Sequence, residues 1–385
     1  MSCQSVIGED NWDNKEQQYW LGFDRLSGAG LGSTRVRKLF DHFRSAEAAW
    51  NATPADLKSL PWFKAEHIKE FLKQRGMIDL DELEKGVADA GATYMPYFHP
   101  LYPSRLREIS EPPLVLYMKG ELTFEQLDHS IAIVGTRHPT HYGERMAKEF
   151  AVGLAKSGAT IISGMAIGVD SICHWGAIEG GGRTVAVLAN GPDKCYPTSN
   201  IGLYSTLVDG SNGAVISEFY PGTKPEPWHF PKRNRIISGL SKGVVVIEAG
   251  ETSGSLITAN LGFEQSRDVF AVPGRVDSPM SKGCNNLIAS LRASLVSNYE
   301  DVLNGLNWIS VPRNREIPKM VELFGREKEV FELITAEPVH FDVLTEQTEM
   351  PIGELSAALT MLELAGAVER LPGDWYSRQS NIVID

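Results

Sequence analysis

Six short apolar runs, rich in β-branched residues, alternate with longer stretches of helical period in the middle of the chain. The runs are Ile131–Val134, Thr160–Ser163, Thr184–Ala189, Ala214–Glu218, Val244–Glu248 and Val269–Val272. A strand that is apolar along its whole length is buried on both faces, as strands are in a parallel sheet covered by helices. The alternation therefore predicts an α/β fold, a doubly wound Rossmann-like parallel sheet.

Glycine follows nearly every one of these runs. The strand-end glycines are Gly135, Gly164, Gly191, Gly222, Gly250 and Gly274. Ligands of such sheets bind beyond the carboxyl ends of the strands, where glycine lets backbone N–H groups come close and helix N-termini favour anions. One glycine after a strand is ordinary turn chemistry. Several at one edge, together with Arg137 and Arg233, predict a phosphate site, because guanidinium groups form paired hydrogen bonds with phosphate.

The segment Phe230-Pro-Lys-Arg-Asn-Arg235 is the densest basic cluster of this region, and Trp228 and His229 precede it. Aromatic rings beside cations are typical of single-stranded nucleic-acid sites, since bases stack on the rings and phosphates pair with the cations. We predict that Arg233 contacts phosphate. For Arg235, a ligand contact and a role in holding a neighbouring loop are equally open.

The net charge of −12 argues against a nucleic-acid partner. Residues 131–296, however, contain 15 Lys+Arg and 13 Asp+Glu, so the acidic excess lies outside the predicted sheet. Affinity for phosphate depends on a local patch of cations rather than on the total charge. The composition therefore leaves nucleic-acid binding by the central region open.

The motifs of common nucleotide-binding and catalytic sites are missing from the sequence. There is no Walker A phosphate loop, and no GxGxxG follows the first run. Gly239-Leu-Ser-Lys-Gly243 precedes a strand instead of following one, so Ser241 does not fit a nucleophile elbow. Asp170 and His174 could form an acid–base pair or half a metal site, but with no third ligand an interaction that orders the helix start is favoured. The sequence predicts a protein without catalysis, metal or cofactor.

The cysteines and the N-terminal residues indicate the cellular compartment in which the protein is expected. The four cysteines are far apart and form no CxxC pair, which argues against zinc and against a disulfide framework; they are Cys3, Cys173, Cys195 and Cys284. The polar, acidic first 15 residues lack a secretory signal, and no run of 18 apolar residues occurs. We therefore expect a protein of the reducing cytoplasm with no membrane partner.

The regions on either side of the predicted sheet have their own patterns. Residues 17–85 have helical spacing, and Gly28-Ala-Gly-Leu-Gly32 lies between two helices in a helix-hairpin-helix or SAM-like arrangement, for which a tight turn is favoured over phosphate binding. After a proline-rich extended connector and the sheet, a polar linker spans Pro312 to Pro318. Three helices and a hairpin then predict a winged helix: Glu327–Thr335, Phe341–Thr348, Ile352–Ala365 and Ala367–Ser377. The predicted domains are residues 1–90, 91–305 and 320–385.

The third helix of the predicted winged helix is the one that would enter a DNA groove. It contains Glu354 and Glu363 and no lysine or arginine. Binding of a duplex through the major groove usually brings cations to the phosphate backbone. A partner-binding or regulatory role for this domain is therefore favoured over duplex recognition.

Seven motifs follow one another in a specific order through the central region. They are Ile133-Val-Gly-Thr-Arg137 with Tyr142-Gly143, Ser163-Gly-Met-Ala-Ile-Gly-Val-Asp170, Ala186-Val-Leu-Ala-Asn-Gly191 with Tyr196-Pro197, Phe230-Pro-Lys-Arg-Asn-Arg-Ile-Ile-Ser-Gly239, Val246-Ile-Glu-Ala249, Ser253-Gly-Ser-Leu-Ile-Thr-Ala259 and Phe270-Ala-Val-Pro-Gly274. In these residues the chain resembles the bacterial DNA-processing protein A family (DprA, also called Smf). The helical N-terminal region and the winged helix agree with full-length members of that family.

The resemblance implies a protein that binds and protects single-stranded DNA entering competent cells during natural transformation. It further implies a homodimer without catalysis that helps load the recombinase RecA and displaces single-strand-binding protein. The family's phosphate pocket falls on Gly135, Thr136, Arg137, Ser163, Gly164, Arg233 and Asn234, with a rim of Ser253, Gly254, Ser255 and Thr258. Phe230 is the candidate for base contact, and Lys232 and Arg235 complete the candidate DNA-binding residues.

The sequence departs from the family pattern at three places. Pro227 stands where some members have a lysine, and either Lys224 or Lys232 is the candidate substitute. Thr136 replaces the commoner serine and keeps the hydroxyl. Leu291-Arg-Ala293 replaces the usual Gly-Ala, which leaves that edge of the domain undefined.

Two other functions compete with single-stranded DNA binding. Rossmann-like nucleotide hydrolases of the lysine-decarboxylase-like family use a Pro-Gly-Gly-x-Gly-Thr loop with a nearby glutamate, and Gly250-Glu-Thr-Ser-Gly-Ser255 lacks that motif. The other alternative is a regulator that binds duplex DNA through the winged helix. The sequence does not indicate which surface would meet RecA, where a dimer would form, or whether the host is transformable.

Overall fold

The computed structural model describes residues 14–210, 213–308, 319–321, 323, 325–335, 337–348, 350–378 and 382–384. The chain divides into two compact units, Met1–Ile309 and Ser310–Asp385. Cys3 and the predicted linker from Pro312 to Pro318 lie outside the described residues. The finer division at residues 90 and 305 stays a prediction.

The first unit begins with a bundle of short helices, here called the helical module. Its helices are α1 (Asn14–Leu26), α2 (Ser33–Phe43), α3 (Ala46–Trp50), α4 (Pro54–Lys58), α5 (Ala65–Arg75) and α6 (Leu80–Asp89). The glycine-rich segment forms a π-helical turn, Ser27–Leu31, between α1 and α2. Aromatic side chains such as Trp20, Phe23 and Phe71 fill the core of the module. Burial of these rings stabilises helices that are too short to be stable alone.

The helical module packs on the edge of a large sheet. The chain continues through β1 (Thr93–Pro96), α7 (Ser104–Arg107) and β2 (Val115–Gly120). Tyr117 of β2 belongs to the same apolar core as the module, and its hydroxyl donates to Asp24 Oδ2 at 2.8 Å. Burial raises the pKa of Asp24 to about 7, against the opposing effect of the Tyr117 hydrogen bond.

Strands and helices then alternate to the end of the first unit. The elements are β3 (Ser130–Val134), α8 (His141–Lys156), β4 (Thr160–Ser163), α9 (Val169–Glu179), β5 (Arg183–Val187), α10 (Ile201–Asp209), β6 (Gly213–Ser217), α11 (His229–Leu240), β7 (Gly243–Val246), α12 (Ser255–Glu264), β8 (Asp268–Ala271), α13 (Lys282–Ala289), β9 (Ser294–Leu295) and α14 (Tyr299–Gly305). The six predicted strands are confirmed as β3 to β8. None of the described helices combines the length and apolarity needed to cross a membrane.

The strands of the first unit, among the described residues, form one sheet in the order β1-β2-β6-β5-β4-β3-β7-β8-β9. Pairing is parallel from β6 to β9, while β2 joins β6 and β1 in antiparallel register. The central strand β3 lies between β4 and β7, so later strands of the chain are added to the sheet on both sides of it. The loops that follow β3 and β7 therefore diverge to opposite faces of the sheet. The crevice between them, at the carboxyl end of β3, is where such sheets bind ligands.

Two apolar layers show why the strands are apolar throughout. On one face Ala132 and Val134 of β3 pack with α7, α11, α12 and α13. On the other face Ile131 and Ile133 pack with α8, α9 and α14. Successive side chains of a strand point to opposite faces, so a sheet covered on both faces requires apolar residues at every position. The predicted doubly wound α/β fold is confirmed.

The second unit, here called the wing unit, is a winged helix as predicted. Its elements are β10 (Lys319–Val321), α15 (Arg326–Leu333), β11 (Val339–His340), α16 (Phe341–Thr348), α17 (Ile352–Leu364), β12 (Val368–Leu371), β13 (Trp375–Arg378) and β14 (Ile382–Ile384). The strands β11, β13 and β12 form a small antiparallel sheet, and β10 pairs with β14. Leu344, Leu355 and Leu362 are fully buried in the core of the unit.

Candidate functional site

The loops after β3 and β7 are tied together at the crevice. The Thr136 N–H donates to the Glu248 carbonyl at 2.8 Å, and the Thr136 carbonyl accepts from Val169 N–H at 3.2 Å. Gly168, with φ at 80°, lets the start of α9 come this close, since a Cβ there would lie 2.6 Å from the Thr136 carbonyl oxygen. Gly135 packs against Val169 in the same contact. These glycines serve close packing of the loops.

Backbone N–H groups at the strand ends are largely engaged within the protein. Besides Thr136, the engaged donors are Gly164 to Asp170 Oδ2 (3.1 Å), Gly191 to the Thr223 carbonyl (3.0 Å), Gly222 to Asp193 Oδ1 (2.7 Å) and Gly274 to Asn285 Oδ1 (3.2 Å). The expectation that these glycines offer N–H groups to an anion therefore does not hold at these positions. These five N–H groups, that of Thr136 included, hold the strand-end loops together.

Glu248 is a buried carboxylate that the sequence presents only as part of a strand-end motif. Its Oε1 accepts from Thr140 Oγ1 and its Oε2 from Thr140 N–H, both at 2.8 Å. Gly143, one turn into α8, leaves the space that the carboxylate occupies. A buried charge needs such partners, and Glu248 lies at the N-terminus of α8, where a negative charge is favoured. Its contacts make it a support for the loop after β3.

Arg233 lies beneath the crevice rather than on its surface. The residue is only 5% exposed. Its Nη1 donates to the Gly164 carbonyl at 2.7 Å and also to the Val187 carbonyl. Its Nε donates to Asn234 Oδ1 at 3.2 Å. Gly164 is required here, because a Cβ would lie 2.6 Å from both terminal nitrogens of the guanidinium. Burial, helped by Arg137, lowers the pKa of Arg233 to about 10, while Asp170 opposes this shift. Arg233 therefore remains charged at neutral pH.

Asp170 and His174 bond to different partners. Asp170 accepts from the N–H groups of Gly164 and Ala166, at 3.1 and 3.4 Å, and so orders the loop before α9, in keeping with the predicted ordering role. Burial raises the pKa of Asp170, and Arg233 opposes the shift. His174 Nδ1 lies 2.6 Å from Thr184 Oγ1, and burial lowers the pKa of His174 to about 3.

Arg137 is the exposed counterpart of Arg233. Its guanidinium lies over the ring of Phe230, 5.8 Å from the centroid, and the ring of Tyr196 lies 5.7 Å from that of Phe230. In the described part of the chain the Arg137 side chain forms no hydrogen bond and no ion pair. Sequence reasoning missed Tyr196 as a site residue; its position after the third strand, beside Pro197, is the signal that could have found it.

A second cation and ring lie at the start of α11. Lys232 Nζ is 5.3 Å from the ring centroid of Phe219 and 5.9 Å from that of Trp228, whose residue is 60% exposed. Lys232 Nζ also lies 3.0 Å from Glu218 Oε2. Arg235 Nη2 pairs with the same oxygen at 2.7 Å and its side chain is largely buried. Of the two possibilities left open for Arg235, the structure provides the contact to a neighbouring loop, and a DNA contact stays a prediction.

The remaining predicted residues lie on or below the rim of the crevice. The Ser163 hydroxyl is fully buried and donates to the Ile133 carbonyl at 2.7 Å. Ser253 Oγ lies 2.8 Å from Ser255 Oγ, while Ser255 and Thr258 are buried. Gly254, just before α12, is exposed.

Nine of the fourteen predicted residues form two layers. The inner layer is Thr136, Ser163, Gly164, Arg233, Ser255 and Thr258, all buried. The outer layer, together with Trp228 of the predicted aromatic cluster and with Tyr196, which the sequence did not single out, forms what we call the strand-end surface: Arg137, Tyr196, Trp228, Phe230 and Lys232. The inner layer holds the loops, and the outer layer presents cations beside aromatic rings.

Family models match parts of both units of the chain. Residues 93–307 match the model of the family described as DNA recombination-mediator protein A, and residues 322–374 match the DprA winged helix domain. The chain is 33% identical to protein Smf of Synechocystis over 95% of this chain and 100% of that protein.

Two solved structures resemble this chain. The X-ray structure of DNA processing protein A from Streptococcus pneumoniae has 32% identity and a TM-score of 0.66, covering 74% of this chain and 97% of that one. A structure of DNA processing protein A from Helicobacter pylori, described for its single-stranded DNA binding mode, has 30% identity and a TM-score of 0.50 and covers 56% of this chain and 95% of that one.

Proposed function

The chain belongs to the DNA recombination-mediator protein A (DprA/Smf) family, and on that premise we propose that it binds single-stranded DNA at the strand-end surface. The observation that carries the proposal is Arg137, an exposed guanidinium that lies over Phe230 and has no ion pair among the described residues. A cation on an aromatic ring provides a phosphate partner and a stacking platform at one point.

The proposed contacts divide between the backbone and the bases of one strand. Arg137 and Lys232 pair with phosphates, and the rings of Phe230, Tyr196 and Trp228 stack with bases. Lys232 lies against two aromatic rings, which favours it over Lys224 as the substitute for the family's lysine. On binding, Lys232 exchanges Glu218 for a phosphate, and Arg235 keeps the Glu218 carboxylate paired. Each stacked base contributes roughly 1–3 kcal/mol in comparable sites.

Family membership supports a wider role. We propose that the protein acts in the cytoplasm as a homodimer in DNA recombination and that its bound strand is passed to the recombinase RecA, with displacement of single-strand-binding protein. Protection of DNA taken up in natural transformation is the setting that this role fits. None of these steps requires catalysis by the chain itself.

The test is fluorescence anisotropy with a labelled oligo-dT, comparing Arg137→Ala with Arg183→Ala. Arg183 is also exposed but begins β5, at the opposite edge of the sheet. We expect Arg137→Ala to weaken binding by about tenfold and Arg183→Ala to leave it unchanged. Equal affinities of the two variants would exclude Arg137 from the site, and release of free base from nucleoside monophosphates would favour the hydrolase alternative.

A further inference from the structure

One exposed stripe along α17 in the wing unit carries no charge. Exposed residues follow one another there at helical spacing, and we call them the apolar face of α17: Gly353, Ala357, Thr360, Met361 and Leu364. Met361 is 52% exposed and Leu364 is 77% exposed. The hydroxyl of Thr360 donates to the Ser356 carbonyl at 2.8 Å. The stripe thus presents few groups that would hydrogen-bond to nucleic acid.

The opposite side of α17 forms the core of the wing unit, so the packing of this unit's described residues does not require the apolar face. Leu355, Leu359 and Leu362 are buried in the core with Val330 of α15. Exposed leucine and methionine side chains that share one helix face, with small residues on the same face, are typical of surfaces that dock another helix.

Charge around this face is strongly acidic. Residues 320–385 contain 13 Asp+Glu and only 4 Lys+Arg. Arg326 of α15, which packs against α17, is already paired with Glu354, and Arg370 is paired with Asp374. On α15 the exposed carboxylate of Glu329 stands beside the exposed cation of Lys328, so the acidic excess of the unit comes from its other carboxylates. A phosphate backbone laid on α17 would therefore be repelled, whereas lysine and arginine side chains would be attracted.

We propose that the apolar face of α17 docks a basic amphipathic helix of another protein. The partner's apolar side chains would pack on Met361 and Leu364, and its backbone would approach closest at Gly353 and Ala357. Its lysine and arginine side chains would lie against the carboxylates of the wing unit. This docking surface is built from other residues than the strand-end surface. Its apolar face and acidic surroundings assign the winged helix to partner recognition rather than to duplex binding.

The experiment uses the full chain and a synthetic 18-residue helix with leucine on one face and lysine on the other. We expect the double variant Met361→Ala and Leu364→Ala to bind this peptide about tenfold more weakly than the wild type, with unchanged affinity for oligo-dT. Met77→Ala is the matched control, because Met77 is an exposed methionine of the first unit. The same peptide with glutamate in place of lysine should not bind.

Two outcomes would overturn the proposal. One is a double variant that binds the lysine peptide as tightly as the wild type does. The other is a duplex oligonucleotide that the wild type binds and the double variant does not, which would assign α17 to DNA.

Discussion

The strand-end surface and α17 both occupy positions at which their folds commonly bind ligands, yet their side chains differ in kind. At the strand-end surface Arg137 and Lys232 lie over aromatic rings. On α17 an apolar stripe is exposed and the surrounding unit is acidic. The difference teaches that a Rossmann-like sheet or a winged helix supplies a place for a ligand, while the side chains at that place select its chemistry.

Within the first unit, Arg233 is buried and supports the loops, whereas Arg137 is exposed. Substituting Arg233 should give the largest change in stability. Arg233→Ala leaves Asp170 buried without its cation and the carbonyls of Gly164 and Val187 without a donor. We expect the free energy of unfolding in urea to fall by about 3 kcal/mol. Arg137→Ala should change it by less than about 0.5 kcal/mol. If both variants unfold like the wild type, Arg233 does not support the crevice through these contacts.

Removing the outer layer should abolish most DNA binding without unfolding the protein. For the double variant Arg137→Ala and Phe230→Ala we expect the affinity for oligo-dT to fall about a hundredfold, or about 2.7 kcal/mol, because a phosphate partner and a stacking platform are lost together. Anisotropy titration measures the change, and the urea midpoint checks the fold. If the affinity for oligo-dT fell by less than about threefold, the strand-end surface would not differ from α17 as a DNA site.

Acid should weaken the first unit through His174. Burial lowers the pKa of His174 from 6.5 to about 3 in the folded state, so the unfolded chain binds the proton more readily between these values. The stability that depends on neutral His174 is present above pH 6.5 and is lost as the pH falls toward 3, by about 1.4 kcal/mol per pH unit. Asp24, whose pKa burial raises to about 7, contributes with the opposite sign over the same pH range, so the comparison with a variant isolates the imidazole. Between pH 7 and pH 5 the free energy of urea unfolding should therefore change less favourably in the wild type than in His174→Asn. Equal changes would mean that the folded protein accepts a charged imidazole at this position.

Deleting residues 320–385 should have the smallest effect on single-stranded DNA. The wing unit offers no exposed lysine or arginine on α17, so we expect the truncated protein to keep its oligo-dT affinity within about threefold. Loss of binding on truncation would transfer the DNA site to the winged helix.

The sequence predicted the parallel sheet because β3 to β8 are apolar on both faces, a pattern that an exposed or half-exposed strand does not produce. It did not predict that β1 and β2 extend the sheet in antiparallel register. Prolines such as Pro112 and Pro113 lie beside these strands, and β2 pairs with β6, which is distant in the sequence.

The division of the site into layers could not be predicted from the local sequence. Arg137 and Arg233 both follow apolar or aromatic segments, and only the fold shows that one guanidinium lies under Gly164 while the other faces solvent. Lys232 and Arg235 of α11 share Glu218, the residue that directly follows β6 at the other end of the connecting loop. Tyr196 reaches Phe230 only because the loops after β5 and β6 meet at the sheet edge.

Titration of single-stranded and duplex oligonucleotides at two salt concentrations, with wild type and Arg137→Ala, tests the assignment of DNA binding to the strand-end surface most directly. We predict that the wild type binds the single strand more tightly than the duplex. The dependence of its affinity on salt should lessen in the variant, by a slope of about 0.7 for one lost phosphate contact. Equal binding of duplex and single strand, or an unchanged salt slope in Arg137→Ala, would contradict this assignment.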